Sequence, residues 1–177
     1  MYAEGYDVQI ARLIASELEL ELVVKMVDWD GLIPALQSGM IDVIIAGMSP
    51  RPDRLEVINF TEEYYRSEHV VVVSSTGDYS DATTFADFAG ANVMGQKGTA
   101  YDDLAAQLAE EANATHMTPL SRVPQIVNGI LTGVIDVTIV ERPVAESIVN
   151  SNPTLLYIEL EDEFDLEETD KIVSFGV

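Results

Sequence analysis

The chain has 177 residues, 47% of them hydrophobic and none of them cysteine. That is enough apolar material for a core, and it excludes disulfides and thiolate metal sites. Asp and Glu number 31 against nine Lys and Arg, a formal charge of −22, and such a surface repels nucleic acid and anionic membranes. The lysines are only Lys25, Lys97 and Lys171. Acid in this excess suggests adaptation to high salt, where screening relieves self-repulsion. No apolar run approaches the ~20 residues of a membrane-spanning helix, and no signal peptide stands within these residues.

In chain order, helical and strand patterns alternate. Gly5 to Leu20 carries Ile10, Leu13, Ile14 and Leu18 at helical spacing with acids opposite. Glu21 to Val27 (ELVVKMV) reads as a strand. Asp30 can cap a helix running through Leu36, with Pro34 near its start and Gly39 closing it. A strand from Ile41 follows, then a helical turn (PDRLEV), and VINFTEEYY leads into a strong strand at His69–Ser75.

The polar, turn-rich stretch Gly77–Thr84 reads as a boundary, giving lobes at 1–74 and 75–177. Beyond it the pattern predicts helices at Thr84–Phe88, Tyr101–Ala112, Ser121–Thr132 and Pro143–Val149. Strands are predicted at Ala91–Gly95, Thr115–Thr118, Ile135–Val140 and Leu155–Leu160. An acidic loop, Glu161–Asp170, precedes a last strand at Lys171–Val177. The whole is an α/β pattern, sheets flanked by helices.

The most informative stretch is Ile41–Arg54, IDVIIAGMSPRPDR. An apolar strand stops at Ala46-Gly47, and open α/β sheets bind ligands just beyond such strand ends. Gly47 permits close backbone approach. Met48 and Ser49 follow, the latter offering a hydroxyl and a backbone N–H, and Arg54 offers a fork that grips a carboxylate at two points. From the residues alone this is either a carboxylate-binding corner or an ordinary strand and loop with a surface arginine. Residues 39–45 (GMIDVII) are echoed by 133–139 (GVIDVTI), each after a Pro-containing amphipathic helix. One such repeat suits two similar lobes rather than a solenoid. Asp42 and Asp136, at the starts of their strands, read as structural.

The runs Gly5-Tyr6-Asp7-Val8, residues 29–36 (WDGLIPAL), Gly39-x-Ile41-Asp42 and Gly47-Met48-Ser49-x-x-Pro52-x-Arg54 resemble the family 3 extracytoplasmic solute-binding proteins, the polar amino-acid receptors of ABC importers. Phe60-Thr61-Glu62-x-Tyr64-Tyr65, Gly95-x-x-Gly98-Thr99 and Gly133-x-Ile135-Asp136…Glu141-x-Pro143-Val144-Ala145 continue the match along the chain. The resemblance implies a two-lobed fold of the periplasmic-binding-protein type II kind, each lobe a mostly parallel sheet flanked by helices. It implies an extracytoplasmic protein with no cofactor that closes on one amino acid in the interlobe cleft, catalyses nothing and passes its ligand to a membrane permease.

Carried over residue by residue, the resemblance sets Trp29 against the ligand and places Gly47 and Ser49, beside Met48, on its polar head. Arg54 takes the α-carboxylate, with Thr99 and the Ala100 N–H at a helix N-terminus, a favourable place for an anion. Glu141 receives the α-ammonium, and Gln96 the side chain. Each has a plainer reading. Trp29 packs the core or hinge, Glu141 pairs with Arg142, and Thr99 is only a helix cap. Tyr64 and Tyr65 pack the hinge. His69 and His116 read as neither metal ligands nor catalytic groups.

This sequence departs from the family at Arg51, where Thr is usual, at Ala100, which lacks a hydroxyl, and at Glu141, where Asp is commoner. It also starts at the first helix, so the resemblance predicts an incomplete first lobe, lacking its first strand and C-terminal return, and self-association through open sheet edges. Two alternatives use the same fold: a cyclohexadienyl-dehydratase-like enzyme, for which Glu141 is the sole candidate acid, and the ligand-sensing domain of a receptor.

Overall fold

A computed structural model describes residues 5–177. In chain order the elements are α1 (Tyr6–Glu17), α2 (Leu32–Gln37), β1 (Ile44–Met48), α3 (Pro52–Leu55), β2 (Phe60–Arg66), β3 (His69–Ser74), β4 (Asn92–Val93), α4 (Ala100–Glu111), β5 (Thr115–His116), α5 (Val123–Leu131), β6 (Val137–Glu141), α6 (Arg142–Ser151), β7 (Leu155–Ile158) and β8 (Ile172–Gly176). They form two compact units. One comprises the residues through Arg66 together with Glu168–Val177, the other Ser67–Glu167.

The division falls at 66/67, whereas the composition suggested 74/75, and Gly77–Thr84 lies inside the second unit. Pairing explains this, because β3 is zipped to β6 on one side and β7 on the other.

In the first unit the sheet order is β1-β8-β2, antiparallel throughout. The last strand was expected to end the second lobe, with no return to the first. Instead β8 enters the first unit and satisfies the facing edges of β1 and β2 at once. The β1–β8 ladder sets Ile44 opposite Gly176 and Met48 opposite Ser174, with an irregularity between. Gly47 lies within it at φ +67°, a bulge conformation that glycine adopts without Cβ strain. The core is small: Leu32, Ile44, Met48 and Ile58, with Trp29 and Phe60 packed on it.

Tyr64 ties α1 to the sheet. Its hydroxyl donates to Asp7 Oδ1 at 2.9 Å, and its ring meets Tyr6 and Phe175. Burial raises the Asp7 carboxyl above its ordinary value, opposed by the Tyr64 hydrogen bond.

Two expectations in this unit are corrected. Glu21–Val27 forms no ladder, and Val23, Val24 and Met26 are exposed. Alternating apolar residues make a strand only where a neighbouring edge accepts their backbone bonds, and none does so among the described residues. Asp30 lies within a 3-10 turn, Trp29–Gly31, rather than capping α2.

The second unit is built on a mixed sheet of order β5-β4-β6-β3-β7. The expected parallel pairing holds for β5-β4-β6, whereas β3 runs antiparallel to both its neighbours. Val70–Val73 are all at most 1% exposed. Val71 and Val73 face a core shared with Leu104, Ala105 and Leu108 of α4. Val70 and Val72 face the opposite core with Ile126 and Ile130 of α5 and Ala145 of α6. Helices therefore cover both faces, which is why β3 reads as an unbroken apolar run. Each such valine is worth roughly 1.5–3 kcal/mol of burial.

The sequence repeat is structural. Gly39 and Gly133 close α2 and α5 at φ +70° and +71°, and in both, the next two N–H groups donate to one carbonyl, Ala35 and Gly129 respectively. Asp136 accepts the Asn92 N–H at 2.8 Å, fastening β4 to β6.

Candidate ligand-binding site

In the first unit, β1 delivers Gly47, Met48 and Ser49 to a turn, and the single turn of α3 returns Arg54 to it. Arg51 N–H donates to Ser49 O at 2.9 Å, and Arg54 N–H to Arg51 O at 3.0 Å. These bonds make the corner that the Pro-punctuated sequence implied. Arg54 is only 6% exposed. Its Nη1 donates to Ser49 O at 3.0 Å, and its guanidinium carbon lies 5.6 Å from the centroid of the Trp29 ring.

A guanidinium this buried is costly unless acceptors and a favourable aromatic face surround it. Arg54 is therefore not a surface arginine. Trp29 packs on the small core, as its plainer reading has it, and its ring also faces the Arg54 guanidinium. The Met48 side chain belongs to the core at 1% exposure, so only its backbone is available. Arg51, the residue departing from the family pattern, pairs with Asp53 at 3.6 Å.

In the second unit, β4 and β6 run parallel with Val93 opposite Val137. The loop after β4 and Glu141 at the end of β6 consequently emerge at the same sheet end. The loop is tightly built: a Cβ on Gly95 would stand 2.3 Å from Asp102 Cα, so only glycine lets the chain run this close to α4. Thr99 caps α4. Its Oγ1 accepts the Tyr101 N–H at 3.1 Å and donates to Gln96 O at 2.7 Å.

The hydroxyl proton is thus committed within the loop, and Ala100 N–H, at the first helical position, has no intrahelical acceptor. Gln96 Nε2 donates to Ser121 O at 2.9 Å. Glu141 is 8% exposed and is not the partner found for Arg142. That arginine bonds Glu68, at 2.8 Å from Nε, and Glu159, and lies over the Tyr157 ring. The bonds to Glu159 and then Glu68 raise its pKa above an already high value.

The structure thus groups Trp29, Gly47, Met48, Ser49 and Arg54 in one unit, and Gln96, Thr99, Ala100 and Glu141 in the other. His69 received neither a metal-binding nor a catalytic role from the sequence. It stands opposite Glu141 in the β3–β6 ladder at 1% exposure. The only available signal was a polar residue opening an otherwise apolar strand. Among the described residues no cluster of His, Asp and Glu is arranged to hold a metal ion, and no helix is long and apolar enough to cross a membrane.

Comparison with known proteins gives a consistent picture. The sequence profile of the bacterial extracellular solute-binding proteins, family 3, matches residues 2–99. The arginine-binding extracellular protein ArtP of Bacillus subtilis is 29% identical over 151 residues, covering 85% of this chain and 58% of ArtP. A probable histidine-binding protein of Campylobacter jejuni is 28% identical over 152 residues, covering 86% of this chain and 57% of that protein. The solved structure of an ancestral arginine-binding protein bound to arginine superposes with a TM-score of 0.82 at 26% identity, covering 98% of this chain and 74% of that one. The chain spans a little over half the length of these curated relatives.

Proposed function

Because the chain belongs to the bacterial extracellular solute-binding proteins of family 3, we propose that it binds one free amino acid outside the cytoplasm. It hands this ligand to the membrane permease of an ABC importer, making and breaking no bond. The observation that carries the reading is Arg54, buried under Trp29 at the end of β1.

An amino-acid zwitterion needs a cationic fork for its carboxylate and an anion for its ammonium, each desolvated and hydrogen-bonded. Arg54 supplies the first, helped by the Ala100 N–H at the start of α4. Glu141 supplies the second. Trp29 and Gln96 contact the rest of the ligand, and Gly47, Met48 and Ser49 offer backbone groups and one hydroxyl. The arginine- and histidine-binding relatives favour a cationic side chain.

Titration of Trp29 fluorescence with the twenty amino acids tests this directly. A saturable change is expected for arginine or histidine. Arg54→Ala should weaken it by 2 kcal/mol or more, roughly thirtyfold or beyond, and Arg54→Lys should not restore it, since an ammonium lacks the planar fork. No response to any amino acid would reject the reading.

Self-association through the first unit also belongs to this proposal. It is supported by the exposure of Leu13, Leu18, Leu20, Val23 and Met26 in that unit, apolar side chains that a second copy would cover. Light scattering that returned a monomer at every concentration would remove it.

A further inference from the structure

His69 opens β3 and is 1% exposed. Its ladder partner is Glu141, 8% exposed. Directly opposed residues of an antiparallel pair project to the same face, with Cβ atoms about 4.5–5.5 Å apart. The imidazole also meets the Tyr101 ring of α4 edge-on, with centroids 5.8 Å apart, so it is held between the two helix- and strand-borne parts of the second unit's half-site. We propose that His69 is a proton-linked positioning residue for Glu141: its imidazolium and the ligand's ammonium compete for one carboxylate, so that binding expels the imidazole's proton and affinity falls as pH drops. This rests on the reading that Glu141 receives the ammonium.

The sign follows from competition and not from the absolute pKa. Imidazole is the side chain whose charge changes near neutral pH. Whatever fraction is protonated in the free protein, a second cation at Glu141 disfavours that proton, and linkage makes the effect reciprocal. Among the described residues, the other charged and titratable groups around His69 include Tyr101 from α4 and, lining with His69 a cavity of about 410 Å3, Glu68, Arg142, Glu159, Asp162 and Glu163. The four acids favour the imidazolium and Arg142 opposes it. Because they are present with and without ligand, they set the pH at which the transition falls and leave its direction unchanged.

The test is calorimetric titration of the protein with L-arginine between about pH 5 and 8, in buffers of differing ionisation heat. Affinity should weaken by up to about tenfold per pH unit on the acid side, with proton release on binding. His69→Gln should bind with a nearly flat profile, and His116→Gln, whose ring bonds Asp102, should keep the slope. NMR titration of the His69 ring in the native protein gives a reading independent of any variant: arginine should lower its pKa. A flat native profile, a slope that survives in His69→Gln, or a ring pKa unmoved by arginine would each overturn the inference while leaving the receptor reading intact. Absence of binding by any of the twenty amino acids at pH 8 would overturn both.

Discussion

A Cβ built on Gly95 would lie 2.3 Å from Asp102 Cα, 2.5 Å from Asp102 N and 2.5 Å from the Tyr101 carbonyl oxygen. All three are backbone atoms at the start of α4, so relief requires the loop or the helix to move. Gly95→Ala should therefore cost about 1–3 kcal/mol, lowering the melting temperature by several degrees. Gly129→Ala meets side-chain rather than backbone atoms, Ile135 Cδ1 at 2.4 Å and Cγ1 at 2.8 Å, and gains helix propensity within α5, so its loss should be smaller. Calorimetry on both variants checks the order, and equal losses would show that α4 does not hold the loop rigidly. Gly95 and Gly98-Thr99 were visible in the sequence as motif positions, but the reason for Gly95 was not, since α4's approach is a tertiary fact. The corner that carries Arg54 was legible in the Pro-punctuated turn after β1, though its burial beside Trp29 is a tertiary fact. His69 was not, because its meaning comes from a register with Glu141 that local pattern cannot specify.

The 3-10 turn Phe85–Phe88 is held by a capping box in which Thr84 and Asp87 serve each other's backbone ends. Asp87 Oδ2 accepts the N–H groups of Thr83 at 2.8 Å and Thr84 at 3.0 Å. These backbone bonds, Thr83's first and then Thr84's, hold its carboxyl below the ordinary 3.8. A folded pKa lower than the unfolded one contributes stability that is fully present above the unfolded value and is lost as pH falls through the folded one. Asp87→Asn should thus lower the melting temperature at neutral pH, and the gap should close as pH drops below 3.8. A gap that stayed constant on acidification would show that the carboxylate charge plays no part. Asp7 has the opposite sign: burial raises its carboxyl, so its contribution grows more favourable as acid is added. Element by element, helices were read correctly to within a few residues because their periodicity and end signals are local. Strand pairing was not. Glu21–Val27 has strand composition and no partner, Phe60–Arg66 became a strand because β8 supplied one, and β8 itself left the second unit to fill the β1–β2 gap.

At the scale of the molecule, the governing quantity is a formal charge of −22 on 177 residues. Arg66 pairs with Glu63 and Glu168, and Arg142 with Glu68 and Glu159, but nine cations cannot neutralise 31 acids, so net repulsion among the acids is not relieved from within. Screening lengths of about 10 Å at 0.1 M and about 3 Å at 1 M salt mean that molar salt removes most of that repulsion while leaving contact pairs in place. The melting temperature should therefore rise between low and molar sodium chloride. Salt also strengthens apolar burial, so a rise alone does not isolate charge. Removing acids separates the two causes. Asp162 and Asp165 lie exposed in the acidic stretch before β8, and replacing both with Asn should raise the melting temperature at low salt and shrink the salt response. A melting temperature unmoved by salt, or a double variant with the native salt response, would show that self-repulsion does not set the stability of this chain and would remove the physical case for adaptation to high salt.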